Sequence, residues 1–233
     1  MQVSEAELLA LPYGPARITW RRSSRARRVS LRIDTRAALV VVTLPPRAGR
    51  TAGMALLMDH AAWVAERLAA LPEPTPFADW AVVPLNGVEH RIRHVARARG
   101  GVRVERGEIL VPGERELVPR RVAEFFRAEA RRRLLALVQQ KAALAGVAPR
   151  RLTVKDTRSR WGSCAASGSL AFSWRLVMAP RFVQDYVTAH EVAHLRHMDH
   201  GPRFWGLVGQ LTPHTDAAVA WLRKHGAKLL RVG

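Results

Sequence analysis

Apolar residues alternate with arginines through the first third of the chain, the period-two spacing of strands that bury one face. Segments 17–22, 28–34 and 38–44 carry this pattern, and the run Leu39-Val40-Val41-Val42 ends at Pro45-Pro46, where the backbone loses its donors. From Arg50 to Leu71 the spacing becomes helical, with Leu56, Leu57, Ala61, Val64 and Leu68 on one side and Pro72 as the stop. Trp63 on this helix is expected in the core. Short strands are predicted over 80–84, 88–96, 102–105 and 108–112, with Asn86-Gly87 and Gly100-Gly101 as turns. A long helix follows over about 117–145, carrying Val122, Phe125, Phe126, Leu134, Leu135 and Leu137 before Gly146.

The last ninety or so residues change register again. Leu152–Asp156 reads as a strand and 169–176 as its hairpin partner, joined through Trp161-Gly162-Ser163-Cys164, with Trp161 and Trp174 packing the hairpin on the core. Pro180 suits the first turn of a helix, where its missing N–H costs nothing, and the helix is expected to end near Met198. Gly201-Pro202 starts another helix through Phe204, Trp205 and Leu207, and a last one covers about 216–228. The whole predicts an α+β protein in two parts: a β-rich basic N-terminal portion with one helix, residues 1–115, and a core, residues 116–233.

The chemistry sits at His190-Glu191-Val192-Ala193-His194, with His200 six residues later. On a helix, positions i and i+4 share a face about 6 Å apart along the axis, so two neutral imidazoles can clasp one Zn²⁺. His200, just before Gly201-Pro202, can fold back as a third ligand. His197 would lie about 10 Å along a regular helix from His190, too far to share the ion. Three protein ligands leave a tetrahedral ion one open position, and Glu191 can take a proton from water held there. Glu191 is therefore the candidate general base, and His190, His194 and His200 the candidate metal ligands. Asp199 could orient a ligand imidazole from behind or cap the next helix. Cys164 could add a fourth ligand, although a single cysteine beside an apolar strand is more often a small buried hydrophobe. Arg158, Arg160 and Arg203 could stabilise an oxyanion or a phosphate. The free edge of strand 169–176 could pair with an extended peptide.

Composition changes this picture in one respect. With 38 Lys and Arg against 19 Asp and Glu, the formal charge is +19, which suits an acidic partner such as a nucleic acid or a nucleotide. The arginine clusters at 21–32 and 127–133 are the densest. One cysteine fits a reducing compartment, and neither a secretory leader nor a membrane span is legible, so a cytoplasmic protein is expected.

The segments Arg158–Cys164, Trp174–Pro180 and Asp185–Trp205 together resemble the YgjP-like family of zinc-dependent hydrolases, relatives of the SprT-like and WLM metallopeptidases. Upstream, the basic strands ending at Pro45-Pro46 and the helix with Trp63 are similar to that family's N-terminal portion. The resemblance implies a zincin-like core (a small sheet, a long preceding helix and the metal helix) with one Zn²⁺ on His190, His194 and His200 and Glu191 as catalytic acid–base. Asp199 stands where asparagine is common in the family. The relatives imply a peptide or protein substrate, for some DNA-associated; other YgjP-like members imply a nucleoside-triphosphate pyrophosphohydrolase. A non-enzymatic nucleic-acid-binding module is the third reading. Oligomeric state is left open.

Overall fold

The computed structural model describes residues 5–233. The chain divides into two compact units at Pro72/Glu73, upstream of the 115/116 boundary anticipated from the sequence.

In the first unit, strands β1 (Glu7–Leu11), β2 (Gly14–Arg22), β3 (Ser30–Asp34) and β4 (Leu39–Leu44) form a sheet in the order β1-β2-β4-β3. The two hairpins meet through a parallel β2–β4 pair. Ile18, Trp20, Val40, Val42 and Leu44 pack against Leu57, Ala61 and Val64. Strand β1 lacked an alternating signal, because Leu8-Leu9-Ala10-Leu11 reads as an undivided apolar run. The expected single helix is two, α1 (Arg50–Asp59) and α2 (Ala61–Ala69), meeting at His60, whose φ of −112° leaves the helical region. The buried positions of α2 are Ala61 and Val64, so Trp63 falls off the core face and is 38 % exposed.

The second unit holds two sheets and four helices. Strands β5 (Val82–Leu85), β6 (Val88–Val95), β7 (Arg103–Glu105) and β8 (Glu108–Pro112) run in the order β5-β6-β8-β7. Their inner residues Val83, Leu85, Ile92, Ile109 and Val111 share one apolar core with Val122, Phe126 and Leu134 of helix α3 (Val118–Ala145). That shared burial is why this sheet joins the C-terminal unit. The turn between β5 and β6 is the anticipated Asn86-Gly87, both residues at positive φ (56° and 80°). It donates Asn86 N–H to Val177 O and Gly87 N–H to Met178 O, both at 2.9 Å. The turn thereby clamps the 3₁₀ segment Trp174–Met178 that leads into the next helix.

The third sheet corrects the expected hairpin. Strand β9 (Arg151–Lys155) pairs with β11 (Ser169–Ser173) in parallel, and β10 (Gly162–Cys164) pairs with β11 antiparallel, giving the order β10-β11-β9. Strand β11 is central, its ladder used on both sides, so the edges of this sheet are β10 and β9. Residues 174–176, expected as strand, are in the 3₁₀ segment. Trp174 is buried as expected. Helices α4 (Arg181–Ala193), α5 (Pro202–Leu211) and α6 (Thr215–Leu230) complete the fold. Among the described residues no helix is long and apolar enough to cross a membrane.

Two buried cations brace this unit. Arg175 donates Nε–H to Val232 O at 2.9 Å, pairs with Asp156 and lies 4.1 Å over the Trp174 ring. Lys141, on α3, donates to Leu211 O at 2.7 Å and pairs with Asp185 of α4 at 2.5 Å. The lysine thus ties α3 to α4, which carries His190, and to the end of α5, which follows His200. Lys141→Met removes the charge but leaves Asp185 and the Leu211 carbonyl with no partner, which costs about 3 kcal/mol. Urea denaturation is expected to show that loss, and Lys141→Met with Asp185→Leu is expected to recover part of it.

Candidate metal centre

Helix α4 begins after Pro180 and buries Val183, Val187 and Val192 on one side. The four-residue spacing leaves His190 and His194 on a shared face, their ring centroids 5.0 Å apart. The helix stops at Ala193, five residues before the expected end, with His194 as its C-cap. The stop has a local cause. His194 donates its Nδ1–H to the carbonyl of His197 at 3.0 Å, which fastens the turn of residues 194–197 back on the helix end. The chain then returns, bringing His200 Nε2 to 3.3 Å from His190 Nε2.

The ligand nitrogens of His190, His194 and His200 lie within 4.8 Å of one another. A backbone carbonyl can only accept, so the bond to His197 fixes the His194 tautomer and leaves its Nε2 with a lone pair. His190 Nδ1 is buried without a hydrogen-bond partner, so Nε2 is the nitrogen through which this ring can be satisfied. Phe204 of α5 is fully buried beneath all three rings, with centroids 4.9, 4.5 and 4.7 Å away. Trp205 flanks His190 and His200 at 5.9 Å. This donor set, three converging imidazole nitrogens on an apolar floor, fits a divalent ion of intermediate softness such as Zn²⁺.

Electrostatics favour the ligand state. Burial lowers the pKa of His190 to about 4, reinforced by His194 and His200. Burial also lowers His194, opposed by its bond to the His197 carbonyl. Both rings are neutral at pH 7, as ligation requires. Glu191 is 6 % exposed, and burial raises its pKa to about 7 while the charge of Arg160 pulls it down. Cys164 and Tyr186 are raised by burial first and by the Glu191 charge second.

The structure brings together His190, His194 and His200, while Glu191, next to His190 on α4, packs against Gly162. His197 stays outside the nitrogen cluster and contributes its carbonyl. Cys164 is also outside it; the thiol lies on β10 and contacts the carbonyl of Ala165 at 3.5 Å. Asp199 does not cap α5, whose N-cap is Gly201 with no side-chain bond; its carboxylate rests against that glycine instead. Arg158 and Arg160 occupy the exposed segment before β10, and Arg203 the first turn of α5.

One participant was not singled out from the sequence. A Cβ on Gly162 would sit 2.5 Å from Glu191 Cγ and 2.6 Å from its Oε1, so the bare backbone of β10 forms a wall of the carboxylate's pocket. A glycine inside a strand marks such close approaches, and that signal was available. The ladder also fixes where β10 points. Trp161 O accepts from Ser173 N–H and Ala165 N–H donates to Ser169 O, so the alternation of an antiparallel pair turns the N–H and C=O of Gly162 and Cys164 away from β11.

Residues 27–225, most of the chain, match the family described as YgjP-like, metallopeptidase domain. No curated protein and no solved structure matches the chain.

Gly162→Ala drives a methyl group into Glu191 and is expected to destabilise the protein by about 1–3 kcal/mol. Glu191→Ala in the same chain makes room for that methyl, so a double-mutant cycle in urea is expected to show strong coupling; simple additivity would contradict the contact. The raised pKa of Glu191 has its own consequence in the metal-free protein. The folded state keeps a proton that the unfolded chain gives up above about pH 4.5, so stability from this group falls as pH rises toward 7 and then levels off. Glu191→Gln is therefore expected to stabilise the chelator-treated protein at pH 8, by about 2–3 kcal/mol more than at pH 4.5, in thermal melts.

Proposed function

The chain belongs to the YgjP-like metallopeptidase family, and from that premise we propose that it is a zinc-dependent peptidase with Glu191 as general base. The observation that carries the reading is a trio of converging imidazoles, with the buried carboxylate that follows the first of them on α4 packed against the backbone of an edge strand. His190, His194 and His200 would hold one Zn²⁺, which when bound polarises a scissile carbonyl and acidifies a water molecule. The small three-stranded sheet, the long α3 and the α4 helix would form the zincin-like core.

The protein's own groups account for the remaining work. Glu191, with a pKa near neutrality, can accept the proton of the attacking water at Oε1 and return it to the departing amine. Burial keeps that carboxylate from being solvated and fixes its rotamer against Gly162. The outward N–H and C=O groups of Gly162 and Cys164 can pair with an extended peptide as an added strand, laying its backbone along β10 beside Glu191. The edge role anticipated for strand 169–176 thus passes to β10. Arg160, close enough to act on Glu191, can stabilise developing negative charge. A reducing, cytoplasmic setting suits the single cysteine.

The test is cleavage of an unfolded polypeptide such as reduced casein by zinc-loaded protein. Wild type is expected to cleave it, to lose activity with a chelator and to regain it with Zn²⁺. Glu191→Gln is expected to keep one equivalent of zinc while losing about 10²–10⁴-fold in rate. Intact casein, together with Glu191-dependent pyrophosphate release from a nucleoside triphosphate, would replace this reading with the nucleotide hydrolase. Salt-sensitive nucleic-acid binding with no hydrolysis of either substrate would leave the binding module.

A further inference from the structure

The opposite end of α4 from His190 carries a second concentration of chemistry. A cleft of about 550 Å³ is lined by Arg132, Arg133 and Leu137 of α3, by Arg181 and Gln184 of α4, and by His214 at the start of α6. Arg181 and His190 are nine residues apart, which on a helix is about 13 Å along the axis and half a turn around it. The cleft is therefore separate from the metal centre and faces the other side of the helix.

Its charge is unbalanced. The Arg133 side chain is only 18 % exposed and has Glu129 at 3.8 Å, but that carboxylate already accepts two hydrogen bonds from Arg132, at 2.7 and 3.0 Å. Asp185, on the same wall, is engaged by Lys141 at 2.5 Å. Four cations (Arg132, Arg133, Arg181, Lys141) thus face two carboxylates (Glu129, Asp185). Desolvation first and the neighbouring Arg181 charge second lower the pKa of Arg133, opposed by Glu129, as expected of crowded guanidinium groups that share a counter-ion. Helix α4 starts here with no side-chain cap and no acidic residue in its first turn, and His214 is the uncapped start of α6. The α4 start adds positive potential, while at α6 Asp216 in the first turn offsets it. Gln184, 1 % exposed, spends its Nε2 on Asn86 Oδ1 and the carbonyls of Val177 and Ala179, while its Oε1 has no partner. A buried lone acceptor among arginines suits a ligand that brings both negative charge and a hydroxyl.

We propose that this cleft is a phosphate-binding site in which Arg133 and Arg181 hold a phosphate ester. Guanidinium forks match phosphate oxygens two at a time, and the volume admits an ester larger than the free ion. The same chemistry is offered by a mononucleotide and by a nucleic-acid backbone. Held about 15 Å along α4 from Glu191, a phosphate here is bound and not hydrolysed.

The test is calorimetric titration of the zinc-loaded full chain with sodium phosphate, adenosine monophosphate and a short single-stranded DNA oligonucleotide, at low salt. At least one is expected to bind, and Arg133→Gln with Arg181→Gln is expected to weaken it by about 10–100-fold. Arg132→Gln with Arg181→Gln, at two exposed side chains, is expected to weaken binding as well, which guards against misfolding at the half-buried Arg133. Glu191→Gln is expected to bind unchanged, so the result is independent of the peptidase reading. Mononucleotide binding identifies a free nucleotide as the source; oligonucleotide binding alone identifies a nucleic-acid backbone. Failure of all three probes to bind, or binding indifferent to both double substitutions, would overturn the proposal.

Discussion

Nitrogen lone pairs that converge on one point, with too few protons to go round, govern the C-terminal unit of this protein. His190 and His200 bring their Nε2 atoms to 3.3 Å, and His194 has already committed its only proton to the His197 carbonyl. A single proton could satisfy one such pair, whereas one divalent cation satisfies all three rings. The surroundings enforce the convergence. Phe204 fills the space beneath the rings, the early stop of α4 frees the chain to return, and Lys141 fastens α4 and α5 to the long helix behind them.

Burying Glu191 next to His190 works against stability. A carboxylate raised to about 7 by burial costs free energy in its charged form, and the backbone of Gly162 leaves it no room to swing into solvent. Local sacrifices of this kind cluster where chemistry is done. The glycine does two things at once: it confines the carboxylate and, as part of an edge strand, turns its own backbone groups away from β11. In the proposed mechanism the general base and the substrate track meet at this one residue.

What could be read in the sequence follows from the range of each interaction. The i,i+4 pair His190/His194 is dictated by helix geometry alone; His200 is preferred over His197 on the rise of a regular helix, whereas α4 stops at Ala193 and His197 is instead turned to offer its carbonyl to His194. The Asn86-Gly87 turn and α3 up to Gly146 were legible for the same local reason. Strand direction was not. Period-two spacing is identical in parallel and antiparallel ladders, so β9 and β11 read as a hairpin with β11 at its edge, whereas β11 is central and β10 and β9 are the edges. The end of α4 was misjudged because Leu195 and Arg196 are good helix formers, overridden by the His194–His197 bond. The approach of Gly162 to Glu191 joins residues far apart in the chain and leaves no periodic trace. Neither does the cleft at Arg133 and Arg181, whose arginines are ordinary surface residues until the helices place them together.

The most direct measurement of the central claim is X-ray absorption at the zinc edge on the metal-loaded protein. Three imidazole nitrogens at about 2.0–2.1 Å and one oxygen, unchanged in Cys164→Ser and reduced to two imidazoles in His200→Ala, is the predicted result. A sulfur scatterer at about 2.3 Å, or a shell with only two imidazoles in the wild type, would contradict it.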